Sequence, residues 1–382
     1  MERKILHITT IDFTIDKMLI DKMVELSKYN NEVDLLSSDV GFQKKIKEYG
    51  YRHINTNIER TISPMADFKS LVTIYRFLKW EKYDVVHTHT AKAGFVGRVA
   101  AKLAGVKVVC HTSHGLPFFE GQSRVKNAIY YTLEKVASWF SNGYFSQNYE
   151  DLEAIKNLVP KKVLTGYEGN GVPLNKLDAY PQLTEEQKEE YQNAFNISDN
   201  DFTFLVGARF ESIKNHHLLL NALKQIPEEK RNFKVLLAGL GGPLEEEIKR
   251  LVKEYGLEER VLFLGYRDDV YELIQVSDAI MLTSRKEGIP RMLMEAMAFS
   301  KPVLATNVLG TRELVVHQET GEMVEDNSVD ELKQAIEAWI DPASKERLKS
   351  YAEKGRKHIE DHFTEAIVAS RINDFYKKLE SR

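Results

Sequence analysis

The stretch Ser284–Glu295, SRKEGIPRMLME, joins a predicted strand to a predicted helix. The apolar run DAIMLT before it is typical of a buried strand in a parallel sheet, and RMLMEAMAFSKP, which begins within it, has helical spacing. Pro290 suits the first helical turn, and Gly288 allows a close approach to the backbone. A helix N-terminus at the carboxyl end of a parallel strand binds anions. With Glu287 and Glu295 framing it, the stretch predicts a site for a diphosphate flanked by hydroxyl-bearing groups.

The same strand–helix alternation runs through both halves of the chain. KILHITT, YDVVHTHT and KVVCHTSHG are strands of the first half, and DFTFLVGARF, FKVLLAGL, RVLFLG and KPVLATNV are strands of the second. A polar stretch without a strand, LNKLDAYPQLTEEQKEEYQ, separates them. This order predicts an α/β fold of two doubly wound parallel-sheet domains, residues 1–176 and 177–363, facing each other across a cleft.

The composition is typical of a globular protein. Of 382 residues, 43% are hydrophobic and 29% are charged, and no apolar run approaches the roughly 18 residues that span a bilayer. The first residues enter a strand pattern directly, without a signal-peptide core. Because Cys110 is the single cysteine, an internal disulfide is excluded. Its position in a strand-like stretch predicts a buried small hydrophobic residue rather than a reactive thiol. A cytoplasmic globular protein is expected.

Charge is unevenly distributed. Residues 1–180 carry 25 basic and 20 acidic side chains, against 28 and 37 in the remainder. The basic half favours an anionic partner such as lipid phosphate, or it is only an uneven surface. Two helical stretches that mix aromatic and basic residues, around Phe68 and around Tyr130, suit either an anionic membrane surface or the core. No basic run with interleaved aromatics is present, so nucleic-acid binding is not expected.

Two further loops of the second half carry candidate ligand contacts. VGARFESIKNHH places Gly207, Arg209 and Lys214 between a strand and a helix, where both cations can reach one diphosphate. GTREL, beginning at Gly310, places Glu313 near the start of a helix predicted over TRELVVH. Alone, that carboxylate is most often a partner of the helix dipole; beside the same cleft it becomes a candidate contact for a sugar or base.

Two patterns resemble known nucleotide- or metal-binding motifs, but neither establishes such a site. LAGLGGPLEEE resembles a dinucleotide fingerprint but has Leu244 in place of the third glycine, so a phosphate turn or a tight turn is favoured. Asp199-Asn200-Asp201 could hold a metal–nucleotide complex, but its position before a strand indicates a turn. The sequence contains no P-loop, G-x-S-x-G elbow or zinc signature.

Four histidines lie at two strand ends: His87, His89, His111 and His114. A His-x-His pair is a possible metal chelate, but no neighbouring Asp, Glu or Cys completes a ligand set. His87 and His89 share a strand face and suit a structural role. His114 lies in a loop opening toward the predicted cleft and suits contact with a substrate.

The motifs SRKEGIPRMLMEAMAFSKPVLATNV, GARFESIKNH, LGYRDDV and GTRELV together resemble retaining, family 4 glycosyltransferases of the GT-B fold. Glu287 and Glu295 match the E-x7-E pair of that family. HTHTAKAGFVGRVAAKLAGVKVVCHTSHG and EGNGVPLNKL resemble its first half. The resemblance implies an acceptor-binding first domain, a donor-binding second domain, and a final helix, residues 364–382, that packs back on the first. Bacterial enzymes of capsule or surface polysaccharide synthesis are the most similar subgroup.

By matched position, the resemblance implies a role for each motif residue. Arg209 and Lys214 neutralise the nucleotide diphosphate and stabilise the leaving group. Glu287 and the amides of Gly288 and Ile289 hold the transferred sugar.

The remaining roles follow in the same way. Glu295 binds the ribose, His114 contacts the sugar near its anomeric centre, and the backbone at Arg267 meets the nucleobase. The chain departs from the family at Ala208 and Leu309, where glycine is common, and in lacking a glycine-rich turn after its first strand.

The expected activity is transfer of a hexosyl unit from a nucleotide diphosphate sugar, UDP-linked by expectation, with retention of configuration. The expected acceptor is a polyprenyl-diphosphate-linked saccharide. No metal and no cofactor is expected, and the protein would be cytoplasmic or peripheral at the inner face of the plasma membrane. Two alternatives stay open: a sugar-nucleotide epimerase on the same fold, which would need no acceptor, and a non-catalytic sugar-nucleotide-binding protein.

Overall fold

The computed structural model describes residues 3–59, 63–118 and 123–382. The chain divides into two compact units. The first contains Met1–Pro173 together with Glu365–Arg382, and the second contains Leu174–Thr364. Each unit is a parallel sheet with its connecting helices, so the predicted doubly wound α/β architecture is confirmed.

The first unit is built on seven parallel strands in the order β3-β2-β1-β4-β5-β6-β7. The strands are β1 (Arg3–Ile11), β2 (Asn31–Ser38), β3 (Arg52–Asn55), β4 (Val85–His89), β5 (Val108–Ser113), β6 (Gly143–Ser146) and β7 (Leu164–Tyr167). Strand order reverses between β1 and β4. Open parallel sheets bind ligands at such a switch point, outside the carboxyl ends of the strands.

Helices connect these strands. They are α1 (Asp12–Thr14), continued by a π-helical turn (Ile15–Leu19), α2 (Ile20–Ser27), α3 (Gln43–Glu48), α4 (Pro64–Glu81), α5 (Ala91–Ala104), α6 (Arg124–Ser138) and α7 (Tyr149–Leu158). Gly105 ends α5 at φ +82, in the left-handed conformation that glycine adopts without strain. Asn148 caps α7 by accepting a hydrogen bond from the Asp151 amide.

The second unit repeats the design with six parallel strands in the order β10-β9-β8-β11-β12-β13. They are β8 (Phe202–Gly207), β9 (Phe233–Ala238), β10 (Val261–Gly265), β11 (Ala279–Leu282), β12 (Val303–Thr306) and β13 (Glu322–Val324). Its switch point lies between β8 and β11, the two strands that precede the loops of Arg209 and Glu287.

The helices of the second unit begin in the polar stretch. They are α8 (Leu174–Asp178), α9 (Glu185–Ala194), α10 (His216–Leu223), α11 (Glu245–Glu254), α12 (Val270–Val276), α13 (Arg291–Ala298), α14 (Thr311–Leu314), α15 (Val329–Ile340) and α16 (Lys345–His362). Single 3-10 turns occur at Ser212–Lys214, Glu228–Lys230 and Pro342–Ser344. Thr184 and Gln187 form a capping box that starts α9.

The C-terminal helix α17 (Glu365–Glu380) packs within the first unit, against α2 and the sheet. The Phe375 ring lies 4.1 Å from that of Phe145. It occupies space that side chains at Gly143 and Gly166 would fill, since a Cβ at either position would lie within 2.6 Å of the ring. Small residues on two neighbouring strands therefore form the seat of the helix.

Three details differ from the sequence expectation. Pro290 is the N-cap of α13 rather than part of its first turn. The helix predicted over TRELVVH stops at Leu314, because Val315 is extended and the next residues form a turn closed by the Thr320 hydroxyl. GEMVED, for which no strand was predicted, contains the edge strand β13, whose three residues are too few to show a period.

The two stretches proposed for a membrane surface each divide between core and solvent. On α4, Leu78 is buried in the core whereas Phe68 is 68% exposed. On α6, Val125 is 71% exposed. No helix among the described residues is both long and apolar enough to cross a bilayer.

Candidate active site

Three loops of the second unit meet at the carboxyl edge of its sheet: the β8 loop (residues 208–215), the β11 loop (283–290) and the β12 loop (307–310). The Thr283 hydroxyl donates to the Lys214 carbonyl over 3.2 Å. The Arg285 amide donates to the Ile213 carbonyl over 2.8 Å, and the Glu287 amide donates to the Leu309 carbonyl over 3.2 Å. These hydrogen bonds hold the three loops in one arrangement.

That arrangement brings Lys214 and Glu287 together. The Lys214 ammonium lies 2.7 Å from Glu287 Oε1, and the Ser284 hydroxyl donates to the same oxygen over 2.5 Å. Their side chains are 24% and 11% exposed, so the pair is partly withdrawn from water. The structure thus brings together a cation predicted for the diphosphate and a carboxylate predicted for the sugar.

Arg209 is placed differently. Its side chain is 69% exposed and pairs with Glu211 at 3.0 Å. Exposed ion pairs contribute at most about 1 kcal/mol, so an incoming phosphate can replace Glu211 at little cost. Within the site, Lys214 is held in position and Arg209 is free to turn toward a ligand.

Glu295 is buried on α13 with its carboxylate oriented by two neighbours. Oε1 accepts hydrogen bonds from Arg291 Nε at 2.9 Å and from the Tyr271 hydroxyl at 3.3 Å. Among the residues that the structure describes, no side chain caps the N-terminus of α13. Gly288 and Ile289 directly precede this end, and their predicted contact with an anion stays a prediction.

Glycines set the close contacts between the loops. Gly310 has φ +80, and a Cβ there would lie 1.1 Å from the Gly288 carbonyl oxygen. Gly207 packs against Met292, whose sulfur would lie 2.9 Å from a Cβ. Glu313 lies in the first turn of α14, directly after Gly310. The β11 and β12 loops can approach this closely only because position 310 has no side chain.

We expect Gly310→Ala to lower donor affinity at least tenfold, because the new methyl group must push the Gly288 carbonyl away. Gly256→Ala is the matched control. Gly256 also has a positive φ, +63, but open space surrounds its Cβ position, so only backbone strain of about 1–2 kcal/mol is added. Isothermal titration with nucleotide sugar checks this, and equal affinities in the two variants would contradict it.

Arg267 and the glycine-rich turn after β9 have structural partners. Arg267 Nε donates to Asp269 Oδ1 over 2.7 Å, and this hydrogen bond raises the pKa of the guanidinium. The guanidinium thus has a partner inside the unit, and the predicted contact of its backbone with a nucleobase stays a prediction. A Cβ at Gly239 would lie 2.1 Å from the Ala208 carbonyl oxygen. The turn therefore packs on the β8 loop.

In the first unit, three histidines form a hydrogen-bonded chain. His7 Nδ1 lies 2.9 Å from His89 Nε2, and His89 Nδ1 lies 3.0 Å from His114 Nε2. Burial lowers the pKa of His7 to about 3 and that of His114 to about 4, and lowers that of His89 well below its usual value. All three rings are therefore neutral at pH 7. The chain fixes the ring of His114, whose predicted contact with the sugar stays a prediction.

A buried ion pair lies beside this chain. Lys22 and Glu168 contact each other with no exposed side-chain surface, and Thr112 donates its hydroxyl to the same carboxylate. His87 Nε2 lies 2.7 Å from the Thr112 hydroxyl, and His87 Nδ1 lies 2.6 Å from the Tyr376 hydroxyl. The network joins α2, β4, β5 and α17.

His7, His87 and His89 also offer ring nitrogens within 4.8 Å of one another, close enough to be considered as metal ligands. Hydrogen bonds to His114, Thr112 and Tyr376, and the bond between His7 and His89, engage each of these nitrogens except His7 Nε2. A metal would have to displace most of those bonds. The hydrogen bonds of these ring nitrogens fit the structural role predicted for His87 and His89 better than they fit a bound metal ion.

Acidification tests this buried histidine chain. The folded-state pKa values of His7 and His114 lie below the value of about 6.5 in the unfolded chain. The unfolded state therefore binds protons first as the pH falls below 6.5, and stability present above that pH is lost between 6.5 and about 3. We expect each buried histidine to cost about 2 kcal/mol at pH 5 relative to pH 7.5.

Urea titrations at pH 7.5, 6.5, 5.5 and 5 measure this loss above the range where carboxylates titrate. His7→Gln should reduce the dependence by the contribution of one histidine, whereas His317→Gln, at an exposed histidine, should leave it intact. A midpoint that does not change between pH 7.5 and 5 would refute the neutral, buried state.

Sequence reasoning missed His7, Lys22 and Glu168. His7 had a weak signal, a polar residue inside the otherwise apolar strand KILHITT. Lys22 and Glu168 had none, because neither local pattern shows that a charge is buried.

Comparison with known proteins follows the same division of the chain. Residues 187–358 match the family model "Glycosyl transferases group 1", and residues 7–148 match "Glycosyl transferase 4-like". An Escherichia coli UDP-Gal:alpha-D-GlcNAc-diphosphoundecaprenol alpha-1,3-galactosyltransferase is 31% identical over 320 residues, covering 83% of this chain and 81% of that protein.

A capsular polysaccharide biosynthesis glycosyltransferase, CapM of Staphylococcus aureus, is 28% identical over 98% of this chain and 97% of its own length. Among solved structures, Anabaena HepE in complex with UDP and glucose superposes with a TM-score of 0.82 at 21% identity, covering 98% of this chain and all of that one. The chain therefore belongs to the family 4-like glycosyltransferases of the GT-B fold and is a hexosyltransferase.

Proposed function

We propose that this protein transfers a hexosyl unit from a UDP-linked sugar to a polyprenyl-diphosphate-linked saccharide, with retention of anomeric configuration. The observation that carries the proposal is the contact between Lys214 and Glu287 at the switch point of the second unit. The activity of the E. coli relative, which uses a UDP-galactose donor and a lipid-diphosphate-linked acceptor, supports the two substrate classes. We assign the donor to the second unit and the acceptor to the first.

In the proposed reaction, the bond between the anomeric carbon and the diphosphate oxygen breaks. A bond to an acceptor hydroxyl oxygen forms on the same face of the sugar. The departing phosphate oxygen accepts the proton of that hydroxyl. This front-face displacement needs positioning and charge stabilisation rather than a protein nucleophile.

The charge network supports that assignment of roles. Glu287 is engaged by Lys214 and Ser284, and Glu295 by Arg291 and Tyr271. Both carboxylates are thus oriented to accept hydrogen bonds from hydroxyl groups. Lys214, assisted by Arg209, supplies the positive charge that the leaving diphosphate requires, so we propose that no metal ion takes part.

The test combines the purified protein, a panel of UDP-hexoses and a GlcNAc-diphosphate acceptor bearing a short alkyl chain. We expect acceptor-dependent release of UDP and a product with the anomeric configuration of the donor, read by NMR. An inverted product would contradict retention. Donor incubated alone should not be converted to an epimer; epimer formation would favour the alternative enzyme class.

Metal independence is tested in the same assay. Turnover should be unchanged by excess EDTA, because the cations of the β8 loop stabilise the leaving group. A strict requirement for added divalent metal would overturn this part of the proposal.

We also propose peripheral association with an anionic membrane surface, supported by exposed apolar side chains of α4 and α6 next to basic ones. Met65 and Phe68 on α4 are exposed near Lys69, and Val125 on α6 lies next to Lys126. Sedimentation with vesicles of anionic lipid should retain the protein at low salt and release it at high salt. Absence of binding at low salt would reject the association.

A further inference from the structure

The carboxylate of Glu295 uses only one of its two oxygens within the protein. Oε1 accepts hydrogen bonds from Arg291 Nε at 2.9 Å and from the Tyr271 hydroxyl at 3.3 Å. Oε2 accepts none from the residues that the structure describes, and it is not a buried atom. Because an ionised carboxylate oxygen can only accept hydrogen bonds, Oε2 suits a ligand group that donates one.

The two donors on Oε1 come from different elements. Arg291 lies one helical turn before Glu295 on α13, so this ion pair follows the surface of a single helix. Tyr271 belongs to α12 and reaches the same oxygen from a neighbouring element. The last torsion of a glutamate side chain is otherwise broadly distributed. Since its rotation would move Oε1 away from both donors, the pair of hydrogen bonds also fixes the direction of Oε2.

The Tyr271 ring is itself held by aromatic neighbours. Its centroid lies 5.0 Å from that of Tyr180 at an interplanar angle of 85°, and 5.4 Å from that of Phe299. Edge-to-face ring pairs at such distances are favourable. The Tyr180 hydroxyl in turn donates to Glu272 Oε1 over 2.7 Å. A packed ring therefore holds the Tyr271 hydroxyl beside Glu295.

Packing alone does not require this hydroxyl. Tyr271 contacts Tyr180 and Phe299 through its ring, and a phenylalanine would offer the same ring surface. At 3.3 Å, the bond to Glu295 is longer than the roughly 2.5–3.0 Å that is usual between a hydroxyl and an oxygen acceptor, so it adds little stability. Its main effect is on the orientation of the carboxylate.

The ligand group that suits Oε2 is a hydroxyl. Glu287, eight residues before Glu295, is already engaged by Lys214 and Ser284. A nucleotide diphosphate sugar carries hydroxyl-bearing rings on both sides of its phosphates, the hexose on one side and the ribose on the other. Two carboxylates in one segment match two such rings. With the hexose at Glu287, Glu295 accepts from the ribose.

We propose that Tyr271 is a positioning residue for nucleotide recognition. Its hydroxyl, together with Arg291, orients Glu295 so that Oε2 accepts a hydrogen bond from the ribose hydroxyls of the donor. Tyr271 acts through Glu295 and makes the site selective for a ribonucleotide. This assignment rests on the proposed function, since it specifies how the UDP part of the donor is recognised.

A cycle of two proteins and two nucleotides tests the assignment. UDP and 2′,3′-dideoxy-UDP, which lacks both ribose hydroxyls, are titrated calorimetrically into wild type and into Tyr271→Phe. Wild type should prefer UDP by about tenfold or more, because the dideoxy analogue leaves a carboxylate oxygen without its donor. Tyr271→Phe should bind UDP about fivefold more weakly and should bind the dideoxy analogue within about twofold of wild type.

The matched control is Tyr255→Phe. The Tyr255 hydroxyl also donates over 3.3 Å, to Asn221 Oδ1, at the end of α11, and this variant should bind both nucleotides as wild type does. Kinetics add a second readout with the UDP-hexose found active. In Tyr271→Phe the donor KM should rise about fivefold with kcat within about twofold, because the ribose is remote from the bond that breaks.

The outcomes distinguish this assignment from the proposed function. If Tyr271→Phe weakens both nucleotides equally, or neither, Tyr271 does not orient Glu295, and the assignment is wrong while hexosyl transfer stands. Equal binding of the two nucleotides by wild type would overturn it as well, because Glu295 would then not meet the ribose. If wild type neither binds UDP nor transfers a hexose from a UDP-sugar, the proposed function falls and this assignment falls with it.

Discussion

Replacing Lys214 with alanine should lower turnover by about two to three orders of magnitude, the usual effect of deleting one preorganised donor for a developing negative charge. Lys214 Nζ lies 2.7 Å from Glu287, so it is already at the site before a ligand arrives. Its loss also leaves the Glu287 carboxylate, which is mostly buried, without its cation. Steady-state kinetics with nucleotide sugar and acceptor measure the change.

The control variants distinguish loss of the positive charge at the candidate site from loss of a positive charge elsewhere on the protein. Lys249→Ala removes an exposed lysine of α11 that pairs only with neighbours on its own helix among the described contacts, and it should leave turnover unchanged. Lys214→Arg keeps the charge with a different shape and should recover part of the rate. Turnover near the wild-type value in Lys214→Ala would remove this residue from the mechanism.

The second large effect is expected on stability. Lys22→Met should lower the free energy of unfolding of the first unit by about 3–5 kcal/mol, because it leaves the Glu168 carboxylate buried without its cation. Both side chains have no exposed surface. Urea titration followed by circular dichroism measures the shift.

A second substitution distinguishes this cause from loss of packing. Lys22→Met/Glu168→Gln removes both charges and should recover much of the loss, since the penalty arises from the uncompensated ion. Lys28→Met is the matched control: Lys28 is 59% exposed and pairs with Glu25 at 2.6 Å, so at most about 1 kcal/mol is expected. If the double variant is no more stable than Lys22→Met, packing rather than charge explains the loss.

The two predicted effects concern different units and different properties, turnover for Lys214 and stability for Lys22. Lys214 belongs to a loop whose residues were recognisable in the sequence, whereas the partner of Lys22 lies 146 residues away. The Lys22–Glu168 pair also reaches His87 through Thr112. We therefore expect Lys22 variants to disturb the histidine network as well as the core.

Local sequence patterns were sufficient to predict the strand, turn and helix around the β11 loop. The apolar strand DAIMLT, Gly288 and the carboxylates Glu287 and Glu295 occur within 18 residues, so the strand, turn and helix follow from spacing alone. The helix over TRELVVH was predicted too long for the complementary reason. Its apolar residues have helical spacing, but the hydrogen bond from the Val316 amide to Thr320 closes a turn that spacing does not show.

The sequence by itself determined the two doubly wound units, the family, and the residue types of the β8, β11 and β12 loops. Each of these is visible in patterns of residues that are close to one another along the chain. Only the tertiary structure decided that Lys214 meets Glu287 while Arg209 stays exposed, and that His7 joins His89 and His114. These features depend on contacts between residues as much as 82 positions apart, and such contacts exist only once the strands are ordered in the sheet.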